Sequence, residues 1–483
     1  MEKTYSPESE LLYISEHTEG MDARPEAMPC FLTTAFVMED LTELQEVTKA
    51  GGYTYIRKNN PNRTELAKMI SYLEKGQDSL IFSSGMGGIT TALLTVLKPG
   101  DHVICNSSIY GETYEVMTEI LPAMQIQVSF VNCSDLAAVA AALTSRTRLI
   151  YTEVVSNPTM DLCDIGRLGQ LAHENGGLLV VDNTFTTPFA IAPITFGADL
   201  TINSLTKFLN GHSDAVGGSV TGSREIIAKV QHMSMLCGTP GDPFSSWLIL
   251  RGLQTAALRV PRQMENAARL AAALEKNPHV GKVNHPSLDS HPQHQLAEKL
   301  FSGNRCTAML SFILPEDQGK IDRFMKKLRF PHYAPTLGGI RSSLSYPVIS
   351  SHAHVPDDLR RKMGITPGML RISVGIEKAE DLIDDGAPFH RDLGIGEEAL
   401  LEDFRPAEAV PPVDEVDPGG VLRQVDRFHE GGVPSADHGH GPAAEKRRVA
   451  RGAVRHAAAG QEDRDAGAFG LFEDRLPAGF DDW

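Results

Sequence analysis

The chain has 483 residues, with 45 Lys+Arg against 62 Asp+Glu and a formal net charge of −17. Hydrophobic residues make up 41% and charged residues 22%, the proportions of a globular protein with material for a sizeable core. The acidic balance excludes nucleic acid and anionic membrane as the expected main partner, since both reward positive charge. That charge is uneven: residues 1–386 hold 34 Lys+Arg and 42 Asp+Glu (−8), and residues 387–483 hold 11 and 20 (−9). Six scattered cysteines (Cys30, Cys105, Cys133, Cys163, Cys237, Cys306) form no CxxC, which predicts a reducing compartment with neither a disulfide framework nor a metal site. The polar, acidic N-terminus resembles neither a signal nor a transit peptide, and no run of 18 apolar residues occurs. The expectation is a soluble cytoplasmic protein.

Residues 1–50 read as a polar N-terminal arm with short apolar pieces such as 30–37. From about Arg63 helix and strand alternate. ELAKMISYLEKG (65–76) has helical spacing, SLIFSSG (79–85) is a short apolar run ending at Gly, and GITTALLTVL (88–97) is helical up to Pro99-Gly100. HVICN (102–106), IQVSFV (126–131), RLIYTEVV (148–155), GLLVVDN (177–183) and DLTIN (199–203) are compact apolar runs, with helical stretches at 136–143 and 165–176 between them. This alternation predicts βα units and a mostly parallel sheet with flanking helices over residues 51–250. Strands covered on both faces read as continuous apolar runs, as these do. Past the Gly/Pro-rich loop 238–243, one long helical stretch is expected to about Lys276. AMLSFIL (308–314), a helix near 317–328 and MLRISVGIE (369–377) then predict a smaller C-terminal α/β domain over 251–386. Residues 387–483 differ in kind, with no Thr, Asn, Tyr, Met or Cys and ten Arg to one Lys. They read as a disordered or out-of-frame tail, and the His438–His440 triplet in it as a solvated loop.

The chemistry-bearing residues fall at the ends of the apolar runs. In SLTKFLNGHSDAVGGSV (204–220), Lys207 follows a strand and precedes a Gly-rich turn. A lysine becomes a carbonyl trap when its pKa is lowered, although most lysines are surface residues. Asp182 ends LLVVD, at the carboxyl end of a buried strand where open α/β sheets bind ligands. It could hold the ring nitrogen of a pyridine cofactor protonated, or simply cap a turn. SSGMGG (83–88) closes a strand and opens a helix, which makes either an anion site or a plain tight turn. Tyr110 could stack on a cofactor or donate a proton, Asn157 ends a third strand, and Arg371 in an apolar run needs an anionic partner. Together they point to a pyridoxal phosphate site acting on an amino acid. A non-catalytic cofactor-binding protein would not need the full set.

The ordered motifs YTYIRKNNPN (53–62), SSGMGGI (83–89), IYGET (109–113), SNPT (156–159), VVDNTFTTPF (180–189), SLTKFLNGHSDAVGG (204–218), TLGGIRSS (336–343) and LRISVGIE (370–377) span residues 15–386. They resemble the cysteine/methionine-metabolism family of pyridoxal phosphate enzymes: cystathionine γ-synthases, cystathionine β- and γ-lyases, methionine γ-lyases and O-acylhomoserine sulfhydrylases. The resemblance implies pyridoxal phosphate fold type I, aspartate-aminotransferase-like, in a homotetramer of two dimers. It implies that Lys207 is the Schiff-base lysine, that Asp182 pairs with the pyridine nitrogen, that Tyr110 stacks on the ring and protonates the leaving group, and that Asn157 reaches the phenolic oxygen. Gly85, Met86, Ser204 and Thr206 would hold the phosphate, and Tyr55 and Arg57 would be lent to the neighbouring subunit. Arg371 and Ser342 would hold the substrate carboxylate, and Arg341 its distal anionic end. Arg341 stands where the synthases and many γ-lyases have Glu, and Glu112 where methionine γ-lyases usually have Cys. The implied reaction is cleavage of the Cγ–S bond of a sulfur amino acid, with γ-replacement or β-elimination as alternatives.

Overall fold

This computed structural model describes residues 6–13, 25–303, 305–353 and 355–386; the expectations for 387–483 and for His438–His440 lie outside the described residues. A seven-stranded sheet is built from β1 (Asp78–Phe82), β2 (His102–Asn106), β3 (Gln127–Val131), β4 (Thr147–Glu153), β5 (Leu178–Asp182), β6 (Leu200–Ser204) and β7 (Gly218–Gly222), in the order β1-β7-β6-β5-β4-β2-β3. All neighbours are parallel except β7, which runs antiparallel between β1 and β6. The apolar runs therefore became strands, and alternate residues serve opposite faces: Val180, Leu200 and Ile202 join one core, while Leu179, Val181 and Ile150 join the other.

β7 is absent from the sequence expectation because GSVTG carries neither β-branched density nor alternation. Its glycines answer to space. A Cβ on Gly218 would lie 2.2 Å from the Ser84 carbonyl oxygen, so the strand can pass the β1 turn only without a side chain there.

Helices cover the sheet. The helix Pro61–Glu74 opens with Asn60 as N-cap and Pro61 in its first turn, and it closes on Lys75 in the left-handed region (φ 59°). Its Leu66, Met69, Ile70 and Leu73 pack into the core that also holds Val181. The helix Gly85–Val96 starts directly from β1, capped by Ser84, whose hydroxyl accepts from Gly87 N at 3.0 Å.

The single helical stretch expected up to Lys276 is two helices, Pro243–Leu253 and Ala256–Glu275. The buried Arg259 explains the break in part: its guanidinium takes the carbonyl oxygens of Gly252, Phe208, Leu209 and Asn210 at 2.7–3.2 Å. A continuous helix would have kept the Gly252 carbonyl for itself. The arm contains a helix the polar reading did not foresee, Leu41–Lys49, capped by Asp40.

The second sheet holds β8 (Lys282–Asn284), β9 (Met309–Ile313), β10 (His332–Tyr333), β11 (Ser343–Ser345) and β12 (Met369–Ser373), ordered β10-β11-β12-β9-β8. It is antiparallel except for the β10–β11 pair, and the helix Ala256–Glu275 packs on β8 and β9. No helix among the described residues is long and apolar enough to cross a membrane.

Beyond β8, His285 is fully buried. Its Nε2 faces the Thr307 carbonyl at 3.2 Å and so carries the proton. Its Nδ1 meets the Ser287 hydroxyl at 2.7 Å and Ser287 N at 3.3 Å, and so accepts. The neutral ring is satisfied at both nitrogens, and burial lowers its pKa to about 4. The unfolded chain binds a proton near 6.5 and the folded chain does not, so this stabilisation is present above 6.5 and is lost as pH falls toward 4. Denaturant midpoints should fall over that window by the equivalent of about 3 kcal/mol, and His285→Gln should remove much of this slope. An unchanged slope in the variant would refute the assignment.

Candidate active site

β1, β2, β4, β5 and β6 all run the same way, so their carboxyl ends open on one edge of the sheet. Asp182 and Ser204 are the last residues of β5 and β6, Lys207 follows in the next turn, Tyr110 follows β2, and Ser83–Gly85 follow β1. Asp182, Ser204, Thr206, Lys207, Tyr110 and Gly85 each stay partly open while the strands beneath them are buried, which marks a recess rather than a packed core.

Burial first, and the Arg371 guanidinium second, lower the Lys207 pKa, with Glu112 opposing. Among the described residues the Lys207 ammonium nitrogen has no hydrogen-bond partner. Its backbone is held tightly: Gly211 N donates to its carbonyl at 2.8 Å, and Arg259 caps the three carbonyls that follow it. Gly338 presses on it from the second sheet's side, with φ +83° and with an added Cβ only 2.4 Å from Phe208 N and 2.6 Å from the Lys207 carbonyl carbon. No other residue fits that place.

Asp182 sits opposite Glu153 in the β4–β5 register, so two carboxyl groups share one face. Burial, and then the Asp182 charge, push Glu153 well above the carboxylate range; burial also raises Asp182, against hydrogen bonds from Thr184. Two adjacent carboxyl groups cannot both ionise cheaply, so burial and mutual repulsion raise the pair, Glu153 the further. Its Oε1 accepts from Tyr110 N at 2.8 Å, while its Oε2 is buried without a partner. Thr184 holds the Asp182 carboxylate through its backbone N at 2.9 Å and ties the next strand by accepting from Ser204 N at 2.8 Å.

Arg371, 5% exposed, comes from β12 and donates through Nη1 to Asn157 Oδ1 at 2.7 Å; its Nε is buried and unpaired. Burial lowers it to about 10, so it remains a cation at neutral pH. Burial and then Glu112 push the Tyr110 phenol well up, so it keeps its proton.

The remaining expected residues are placed as follows. Gly85 opens the helix Gly85–Val96, where a Cβ would meet Ser204 Cβ at 3.0 Å, and Met86 follows in the same turn. Thr206 exchanges hydrogen bonds with Gly217, its hydroxyl 3.1 Å from Gly217 N and 3.2 Å from Gly217 O. Ser342 is fully buried and its hydroxyl is already used: it donates to Glu377 Oε2 at 2.9 Å and accepts from Gly375 N at 2.9 Å. Arg341 beside it is exposed. Tyr55 is 43% exposed, and Arg57 lies over its ring and donates to Met235 O at 3.1 Å, so the hydrogen bond of Arg57 goes to the helix Arg224–Cys237 rather than into the recess.

Glu153, Thr184 and Arg259 escaped the sequence reading. Glu153 carried a signal, a lone acid within the run RLIYTEVV, of the same kind that singled out Arg371.

The family described as Cys/Met metabolism PLP-dependent enzyme matches residues 11–387. The chain is 40% identical over 341 residues to the cystathionine gamma-lyase of Bacillus subtilis (strain 168), covering 70% of this chain and 89% of that protein. It is 37% identical over 360 residues to the cystathionine beta-lyase of Lactococcus lactis subsp. cremoris (strain MG1363), covering 74% and 92%. Among solved structures, cystathionine gamma synthase from Xanthomonas oryzae pv. oryzae, in complex with aminoacrylate and cysteine, matches with a TM-score of 0.75 and 32% identity, over 79% of this chain and 97% of that one.

The recess fits pyridoxal phosphate. A helix N-terminus with glycine at its first position suits a phosphate, a carboxylate facing the recess from the end of β5 suits a protonated ring nitrogen, and an unpaired, pKa-lowered amine suits an aldehyde. Gly338→Ala should therefore cost about 2–4 kcal/mol in stability and displace Lys207. Thermal melts and the cofactor content of the purified variant test this; wild-type values for both would show that the close approach is relaxed in solution.

Proposed function

The chain belongs to the Cys/Met metabolism PLP-dependent enzyme family, and we propose that within it the protein cleaves the Cγ–S bond of a sulfur amino acid, in the manner of a cystathionine γ-lyase or methionine γ-lyase. The observation that carries this reading is that Lys207 and Tyr110 follow strand ends on the same edge of the sheet and answer to the same two charges, Arg371 and Glu112, the amine being lowered and the phenol raised. γ-Elimination needs both: a base that works twice on the substrate chain and an acid for the departing sulfur.

Bound in the recess, pyridoxal phosphate supplies an electron sink for the charge left at the substrate Cα. Gly85, Met86 and Ser204 would hold its phosphate, and Thr206, whose hydroxyl is exchanged with Gly217, would join them by releasing that exchange. Asp182 would hold a proton on the ring nitrogen, beside Glu153, whose carboxyl burial and the Asp182 charge raise further than Asp182 itself. Tyr110 stacks on the ring. Asn157 is oriented by Arg371, which occupies its Oδ1 and leaves Nδ2 to donate to the phenolic oxygen. Arg371 offers its unpaired Nε to the substrate carboxylate. Ser342, spent on Glu377 and Gly375, acts as a brace for this wall rather than as a free donor. Lys207 is placed to accept a proton from the substrate chain, and Tyr110 to give its phenolic proton to the leaving sulfur. Tyr55 and Arg57, facing outward, reach the phosphate of a neighbouring subunit in a cytoplasmic homotetramer.

A second reading, γ-replacement, draws on the likeness to the Xanthomonas synthase, and β-elimination on the Lactococcus lyase. Product analysis on cystathionine, methionine, homocysteine and O-acetylhomoserine separates them. γ-Cleavage yields 2-oxobutanoate from cystathionine; pyruvate instead would mean β-elimination, and a new thioether from O-acetylhomoserine would mean replacement. Lys207→Ala should lower turnover by at least about 10³-fold and abolish the yellow absorbance. Arg341→Ala should weaken kcat/KM for substrates with an anionic distal end by about tenfold and spare neutral ones. Equal losses on both classes would remove Arg341 from substrate recognition.

A further inference from the structure

Glu74 ends the helix Pro61–Glu74 and is fully buried on the face of the sheet opposite to Asp182. A carboxyl group in such a place needs a reason, since burial, with the Asp182 charge adding to it, raises its pKa to about 7 against the hydrogen bonds from Asn183 and Asn203. Its Oε1 accepts from two amides, Asn183 Nδ2 at 3.0 Å and Asn203 Nδ2 at 2.6 Å, while its Oε2 has no partner. Those two asparagines occupy telling positions. Asn183 directly follows Asp182, and Asn203 directly precedes Ser204.

The β5–β6 ladder stops at the same place. Its pairs are Val180↔Leu200, Val181↔Thr201 and Asp182↔Ile202, and the last backbone bond is Asn183 N to Ile202 O at 2.8 Å. Beyond it the strands are joined by side chains. Thr184 accepts from Ser204 N, and Glu74 spans Asn183 and Asn203 from beneath. Side chains alternate along a strand, so a contact to residues 183 and 203 acts on the reverse face while Asp182 keeps the recess face. Asn183 has further anchors, donating to Ile191 O at 2.9 Å and accepting from the Thr186 hydroxyl. Asn203 does not: its Oδ1 is buried and unpaired, so Glu74 is its side-chain hold.

We infer that Glu74 is a positioning residue, a clamp that fixes the ends of β5 and β6 and thereby the spacing between Asp182 and the Ser204–Lys207 turn. The inference rests on the roles assigned above to Asp182 and Lys207. Its chemistry is plain: one oxygen that accepts from both strands transmits the position of one to the other, where an apolar residue would let each amide seek water separately.

The test compares holoenzymes of wild type, Glu74→Gln and Glu74→Ala. Gln keeps the bridging carbonyl oxygen and removes the charge, so cofactor dissociation constant, visible circular dichroism and kcat should stay near wild type. Ala should raise the cofactor dissociation constant at least about tenfold, reduce the visible circular dichroism band and lower kcat more than it alters KM. Asn203→Ser, which removes only the β6 half of the clamp, should give the same changes and serves if Glu74→Ala does not fold. A variant that melts earlier but keeps the wild-type dissociation constant and circular dichroism would make Glu74 a core-filling residue only and overturn the proposal. Absence of any cofactor band in wild type would instead overturn the site reading on which it rests.

Discussion

Arg371 is a cation that the interior of this protein cannot leave alone. It is 5% exposed, it belongs to β12 in the second sheet, and the only hydrogen bond of its guanidinium among the described residues runs to Asn157 beyond the end of β4. A buried guanidinium needs acceptors and counter-charge, and both lie at the carboxyl ends of the first sheet's strands. Docking of the second sheet therefore completes the recess. The same charge adds to burial in lowering Lys207 and works against burial at Glu153, so one side chain from residue 371 acts on the proton affinities of groups that are far from it in sequence.

The backbone around Lys207 is built to the same end. Arg259 gathers the carbonyls of Phe208, Leu209 and Asn210, and Gly338 occupies a space that admits no side chain. Gln263 donates to Gly339 O at 2.8 Å and to Val374 O at 3.0 Å, which fastens the glycine loop to the strand behind Arg371. Lys207 is thus held by residues from the helix Ala256–Glu275 and from the loop before β11. A lysine whose nitrogen must stay unpaired gains its precision from such backbone anchors, because its own side chain offers none.

Much of this was legible in the chain. The strands β2 and β5 were apparent because a strand buried on both faces is apolar through its middle, as residues 103–105 of HVICN and 178–181 of LLVVD are. Asp182 and Lys207 could be located because their apolar runs end where open α/β sheets bind ligands. β7 was hidden, since its glycines are dictated by the Ser84 carbonyl rather than by strand propensity. The second sheet's short strands, such as β8 and β11, carry too few residues for a period to show. Glu153, Thr184 and Glu74 were missed for a common reason: their partners are set by register, and register appears only once strands pair.

Sequence by itself determined the family and the cofactor chemistry, because the motifs that carry the resemblance are local stretches of chain. Tertiary structure alone decided which groups share a proton, which donors are already spent, and which faces hold the strands together. Ser342 shows the difference: its hydroxyl stands in a motif that suggests a substrate contact, yet packing hands it to Glu377 and Gly375. Electrostatic coupling and hydrogen-bond commitment depend on distances between side chains remote in the chain, and only the folded arrangement of the two sheets sets those distances.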